Sequence, residues 1–217
     1  MIPTGWYIFH MTSESIPAPT ASARERLLGA AIRIVREKGF GSTSVDDLCR
    51  DAGVTKGGFF HHFASKQALG VAAAAAWRDH AATLFDTADY RSNPDPVARV
   101  LAYVAHRAAL IEGSPAEFSC LAGTMVQELH ASDPVLRDAC RDAIFGHADS
   151  LAGDFDAALA ARGIAHTSGV SLARHVQAVL QGGFIMAKAS GDAGAARDAV
   201  VHLQSYLRLL FDEGDRQ

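Results

Sequence analysis

The 217-residue chain is poor in cysteine and has no long apolar run. Its three cysteines, Cys49, Cys120 and Cys140, are an odd number, widely spaced and without a CxxC pair. Neither a disulfide framework nor a structural zinc site is therefore expected, and a reducing cytosol suits such a chain best. No stretch approaches the roughly 18 unbroken apolar residues of a membrane span. No basic segment leads into an apolar one in the manner of a secretory signal. HExxH, a Ser-His-Asp layout and a glycine-rich phosphate loop after a strand are all missing, which points away from an enzyme and implies no cofactor. Alternating apolar and polar runs bounded by turns are missing too, so no strand is predicted. What remains is a chain 49% hydrophobic and 20% charged, apolar enough to build a sizeable core and excluded from global disorder.

The net charge of −4 is unevenly spread. Residues 21–70 carry eight Lys and Arg against five acids, a local +3, which leaves −7 for the remainder. A basic segment on an acidic body is the asymmetry of a protein that meets phosphate at one end. Residues 1–22 are rich in Pro, Ser and Thr, lack a helical stripe and are expected to form a poorly ordered leader. Within it, Trp6-Tyr7-Ile8-Phe9 precedes Met11, where a more ordinary N-terminus begins.

Beyond the leader the chain reads as all-α, with about nine helices. Leu27, Leu28, Ala31, Ile34 and Val35 recur near a 3.6-residue period, which predicts a helix over 23–38 stopped by Gly39. Thr43 or Ser44 caps a second helix that has Asp46 and Asp47 in its first turn and Gly53 at its end. Thr55 caps a short third helix to His62. Ser65 caps a fourth that runs through the alanines of 72–76 to about Thr87. Further helices are predicted at about 95–112, 117–130, 134–162, 168–190 and 193–213, punctuated by Asn93-Pro94-Asp95-Pro96, Gly113-Ser114-Pro115 and similar breaks.

The stretch Thr43 to Lys66 carries the function. Two short helices joined by a tight Ala-Gly-Val turn, behind a longer amphipathic helix, have the layout of a helix-turn-helix. Val54 and Phe59 plug the angle between them, and Phe63 seals the third helix against the fourth. Gly57 and Gly58 each weaken the third helix by about 1 kcal/mol against alanine, a choice that suits close backbone approach to a binding partner. His61 and His62 are adjacent, so their side chains point about 100° apart and do not form a metal site.

In Val54-Thr55-Lys56-Gly57-Gly58-Phe59-Phe60-His61-His62-Phe63-Ala64-Ser65-Lys66 the chain resembles the tetracycline-repressor (TetR) family of regulators, over about residues 22–70. The resemblance implies a DNA-binding head over 23–69 and a helical ligand-sensing and dimerisation domain over 70–217. The partners it implies are double-stranded operator DNA, a small-molecule inducer and a second copy of the chain, with no membrane. It implies that Thr43 or Ser44 holds a phosphate, and that Thr55 and Lys56 meet the DNA backbone, Lys56 also reaching a guanine edge. Gly57 and Gly58 would lie in the groove, with His61 and Lys66 on phosphates. Phe60 stands where many relatives have tyrosine; it loses a hydroxyl and offers apolar contact to a thymine methyl instead.

The ligand is expected among the fourth to eighth helices, with Trp77, His80, His106, Phe118, Cys120, Met125, Phe184 and Met186 as candidate walls. The run from Phe118 to Leu129 is similar to one in the branch containing the N-ethylmaleimide repressor. Cys120, at or near a helix start, is there either an electrophile-sensing thiol or a plain pocket wall. The last two helices are expected to pair across a dimer through Gln181, Gly182 and Gly183 together with Val200, Val201, Leu203, Leu207, Leu210 and Phe211. Three other readings stay open: an activator, a regulator that recruits a partner protein, and a helical enzyme carrying an incidental helix-turn-helix.

Overall fold

The computed structural model describes residues 21–213. Apart from Ala21 and Ser22, the expected leader with its aromatic cluster and Met11 lies outside the described residues. These are predominantly helical, with no strand among them.

Helix α1 (Ala23–Lys38) opens on a reciprocal capping box between Ser22 and Glu25 and stops at Gly39, whose φ of 88° suits glycine. Helix α2 (Val45–Ala52) has a second capping box, Ser44 with Asp47, and ends on Gly53 in the left-handed region. Helix α3 (Lys56–His62) is capped by Thr55. Helix α4 (Lys66–Asp86) starts at Ser65, whose Oγ accepts from the Ala68 N–H at 3.0 Å. A 3-10 turn (Asp89–Ser92) leads to α5 (Pro96–Ala109), capped by Asp95 with proline in its first turn. Next come α6 (Pro115–Phe118), α7 (Leu121–Leu129), α8 (Pro134–Ser150), α9 (Ala152–Ala161), α10 (Gly169–Ser190) and α11 (Gly194–Glu213).

Two predicted helices are each divided. The one expected over 117–130 breaks at Cys120, which has extended backbone and caps α7. The one expected over 134–162 bends at Leu151, whose N–H bonds back to Ala148 in a tighter turn while its side chain is buried.

The described residues fall into two compact units, 21–77 with 116–141, and 78–115 with 142–213. In the first, α1 packs on α2, α3 and α7 around Leu27, Val35, Leu48, Phe59, Leu121 and Met125. Residues 116–141 thus share a unit with the helix-turn-helix. In the second, α5, α9, α10 and α11 pack on one another around Val104, Phe155, Val176, Leu180, Leu203 and Leu207. Gly183 lets α10 approach α11 of the same chain closely, since a Cβ there would meet Ala199 and Ala196 at 3.2 and 3.3 Å.

Candidate functional site

The outer surface of α3 is built from a few fixed points. Phe59 is fully buried and roots the helix in the first unit, edge-on to Phe60 and tilted against Phe63. Arg26 donates through Nε to the Ala52 carbonyl at 2.9 Å and so holds the end of α2 against α1. Thr55 Oγ1 accepts from the Gly58 N–H at 3.1 Å. With these contacts set, Lys56, Gly57, Phe60 and His61, at helical spacings of three and four, form one exposed face. Phe60 is 55% exposed, an aromatic ring held in water on a short, well-capped helix. Lys56 pairs with Asp46 of α2 at 2.8 Å, and that pairing, by hydrogen bond first, raises its pKa.

The two glycines differ. A Cβ on Gly58 would lie 2.8 Å from the Val54 side chain, so this glycine serves the turn. A Cβ on Gly57 would meet only Thr55 Oγ1 at 3.9 Å. The sequence assigned both to the groove; the structure leaves Gly57 open and fills the space beside Gly58 with Val54.

Among the expected phosphate ligands, Thr43 is corrected. Its side chain is buried, and its hydroxyl donates to the Gly39 carbonyl at 2.6 Å, closing the loop between α1 and α2. Ser44 is exposed, but its N–H and hydroxyl both bond the Asp47 carboxylate, at 3.0 and 2.8 Å. Lys38 and Ser44 hold that carboxyl well below the usual carboxylate range, so a negative charge already occupies the start of α2. Lys66 turns toward the same loop: its ammonium donates to the Phe40 and Thr43 carbonyls, each at 2.9 Å, and lies 4.5 Å from the Phe40 ring centre. It organises the approach to α2.

A residue that the sequence reading missed completes this loop. Glu128, at the end of α7, accepts from the Phe40 N–H at 3.1 Å and the Gly41 N–H at 2.8 Å. Its carboxylate fills the space where a Cβ on Gly39 would sit, a second reason for glycine there.

The eight expected ligand walls divide between the units, and one of them, Met186 of the second unit, is corrected: its side chain stands in solvent rather than in a pocket. Trp77, Phe118, Cys120 and Met125 belong to the first; His80, His106 and Phe184 to the second. Met125 is fully buried beside a void of only about 10 Å³, room for a single water, so it is core rather than a ligand wall. Trp77 stacks under the buried Arg36, whose guanidinium is 5.0 Å from the ring centre and donates to the Glu117 carbonyl. Burial draws the Arg36 pKa down to about 10. Cys120 is half-buried, and its Sγ accepts from the Gly123 N–H at 3.4 Å. Burial raises the thiol of Cys49, and raises that of Cys140 to about 12.

In the second unit His106 and Tyr90 line an open hollow of about 840 Å³, together with Leu84, Ala88, Asp89 and Ala102. Behind these two rings lies a buried polar cluster of Tyr103, Arg107 and His147, which the sequence reading also missed. Its trace was there: Val100, Tyr103, Val104 and Arg107 share one helical stripe, so a charge falls on the apolar face of α5.

The described residues contain no helix long and apolar enough to cross a membrane, and no group of three His, Cys, Asp or Glu placed to hold a metal ion.

Residues 27–73 match the family described as bacterial regulatory proteins, tetR family, and residues 96–201 match the C-terminal domain of LmrA/YxaF-like transcriptional regulators. The transcriptional regulator AcuR of Cereibacter sphaeroides is 32% identical over 130 residues, 59% of this chain and 58% of that one. The transcriptional repressor DhaR of a Mycobacterium species is 30% identical over 115 residues, 52% and 56% of the two chains. The chain thus spans little more than half the length of these curated relatives. Among solved structures, a regulatory protein TetR from Rhodobacter sphaeroides superposes with a TM-score of 0.73 at 23% identity, covering 85% of this chain and 98% of that one. The reduced form of NemR from E. coli gives 0.67 at 23%, covering 84% and 95%. At such identities the likeness shows the fold.

Proposed function

The chain belongs to the tetR family of bacterial regulatory proteins, and on that premise we propose that it is a ligand-responsive transcriptional repressor that holds a pseudo-palindromic operator as a homodimer. The observation that carries this reading is the outer face of α3. An exposed phenylalanine, an open glycine, a lysine and a histidine form one surface, with an anchored phenylalanine behind it. Inserted in a major groove, Phe60 lies against a thymine methyl, Gly57 admits the sugar-phosphate edge, and Lys56 exchanges Asp46 for a phosphate or a guanine edge. The Lys56–Asp46 pair is well exposed on both sides, so the exchange costs little. Thr55 and His61 supply further phosphate contacts.

Dimerisation is assigned to α10 and α11 by their exposed apolar side chains. Met186 is 61% and Leu209 65% exposed, with Ile185, Val201 and Tyr206 also in solvent. The facing expected for α11 is corrected here. Val200, Leu203, Leu207 and Phe211 are buried in the chain's own unit, which leaves Val201 and Leu209 to meet a second copy. Such repressors work in the cytoplasm, where a small-molecule inducer lowers operator affinity. Coupling of this kind is typically about 1–3 kcal/mol and reciprocal, so operator DNA weakens inducer binding by the same factor. The inducer site favoured by the geometry is the hollow lined by His106 and Tyr90. A second reading, alkylation of Cys120, is favoured by its half-exposure at the start of α7.

Fluorescence anisotropy with promoter DNA from upstream of the protein's own gene, across a salt series, tests the head. Lys56→Ala is expected to weaken binding to all sequences and to flatten the salt slope by about one unit per contact per head. An unchanged slope with intact folding removes Lys56 from the interface.

A further inference from the structure

From the buried cluster behind the hollow we infer that the inducer is a small monocarboxylate whose carboxylate is taken by Arg107, with Tyr103 beside it and its apolar body held among the rings of Phe85, Tyr90 and His106. The inference rests on the repressor reading for its biological role, but the binding site it assigns stands on its own geometry.

Arg107 is only 9% exposed. Its Nη1 donates to the Tyr103 hydroxyl at 3.1 Å and lies 3.3 Å from His147 Nε2. The Tyr103 hydroxyl is in turn 2.9 Å from the same His147 nitrogen. Arginine only donates, so Arg107 donates to Tyr103; in the neutral tautomer of His147 whose Nε2 is unprotonated, Tyr103 in turn donates to that nitrogen. His147 is suited to that state, because burial and then Arg107 draw its pKa down to about 3. Burial likewise keeps Tyr103 protonated. The cluster therefore carries one net positive charge, and among the described residues no carboxylate pairs with Arg107. The nearby carboxylate of Asp154 is taken by Arg91 and Arg99, at 2.7 and 2.9 Å. The remaining guanidinium nitrogens, Nε and Nη2, make no hydrogen bond among the described residues.

The surroundings of that charge are aromatic. The guanidinium lies 5.0 Å from the Phe85 ring centre and 6.0 Å from that of Tyr103. Cation–π contact eases the burial of an arginine but supplies no counter-charge. A largely buried cation whose Nε and Nη2 have no partner among the described residues, behind two rings that line an open hollow, is what a planar carboxylate completes through paired, charge-assisted hydrogen bonds in place of water. Between the hollow and the cluster stand His106, whose Nε2 is buried without a hydrogen-bond partner, and Tyr90, whose ring contacts both His106 and Tyr103; these two rings line the hollow together with Asp89, and a carboxylate reaches Arg107 by displacing them. A single positive charge among aromatic rings matches a monoanion; a phosphate dianion would require more cations and more donors.

The full-length protein is titrated calorimetrically with benzoate and butyrate, and with the neutral benzamide and butyramide as controls. Thermal melts are recorded for the wild type, Arg107→Met and Tyr103→Phe. At least one carboxylate is expected to bind and raise Tm while its amide does not, and Arg107→Met is expected to weaken that binding by roughly 10- to 100-fold. Ligand-free Arg107→Met is expected to melt no lower than wild type, because a buried unpaired charge gives way to an apolar chain of similar size. Equal binding of amides, undiminished binding to Arg107→Met, or no carboxylate binding with a lowered Tm for that variant overturns the inference, the last making Arg107 a structural strut. Anisotropy on promoter DNA separates the two levels. Arg107-dependent carboxylate binding without DNA release upholds the site and sinks the repressor role, whereas DNA release by neutral compounds alone does the reverse.

Discussion

Gly57 and Gly58 are adjacent in one short helix, yet the space around them is different, and so are the expected effects of replacing them. Gly58 accommodates the Val54 side chain across the turn; an added methyl would have to move Val54 from 2.8 Å. Gly58→Ala is expected to destabilise the protein by about 1–2 kcal/mol, as overpacking does. Gly57 has no such neighbour and already adopts helical backbone. Gly57→Ala is expected to stabilise by about 0.5 kcal/mol and still weaken promoter binding at least several-fold, because the methyl would stand on the face proposed to meet DNA. Melting curves and anisotropy measured together check this. A stabilised variant with unchanged DNA affinity would remove Gly57 from the interface. The cysteines separate as clearly. Burial raises the thiols of Cys49 and Cys140, so both stay protonated near neutrality, while Cys120 is half-exposed. Limiting N-ethylmaleimide followed by mass-spectrometric mapping is expected to label Cys120 first. If Cys120→Ser is released from DNA by the reagent as readily as wild type, the alkylation route is excluded.

Among the elements, α7 is the one whose role goes furthest beyond its sequence. Its last turn presents Glu128 to two backbone N–H groups of the loop that leads into α2. Glu128→Ala leaves both donors to water and is expected to cost about 1 kcal/mol, the bonds being charge-assisted but near the surface. It is also expected to lower promoter affinity, by loosening the loop that positions α2. Promoter affinity equal to wild type in a destabilised Glu128→Ala would show that the loop serves folding alone. The first four helices were legible because their ends are written in residues with one local meaning: Gly39 and Gly53 as stops, Thr55 and Ser65 as caps. The breaks at Cys120 and Leu151 were not, since neither proline nor glycine stands there and tertiary burial decides. Thr43 and Ser44 show a related limit. Both are short hydroxyls beside a helix start, and only the loop's closure on Gly39 tells the buried one from the cap. The trace of Arg107 in the sequence is a charge on the apolar stripe of α5.

For the whole molecule, the sign and place of exposed groups set how copies assemble. Helix α11 carries two apolar stripes, and periodicity alone does not say which one faces the chain's own core. The structure buries Leu203, Leu207 and Phe211 and leaves Val201 and Leu209 outside, one above and one below Ser205 at four-residue spacing. Met186 and Ile185 of α10 are exposed as well, and these side chains form the proposed contact with a second copy about a two-fold axis. The two stripes make opposite predictions. Leu209→Glu is expected to leave the thermal stability of an isolated chain nearly unchanged, while sedimentation shows monomers and promoter binding falls sharply, since two heads no longer act together. Leu207→Ala is expected to cost about 2–5 kcal/mol through the cavity it opens in the second unit, at any protein concentration. A Leu209→Glu protein that sediments as a dimer and binds promoter DNA like wild type would place the partner surface elsewhere on the chain. The exposed apolar side chains Val135 and Phe145 of α8 would then be the next to test.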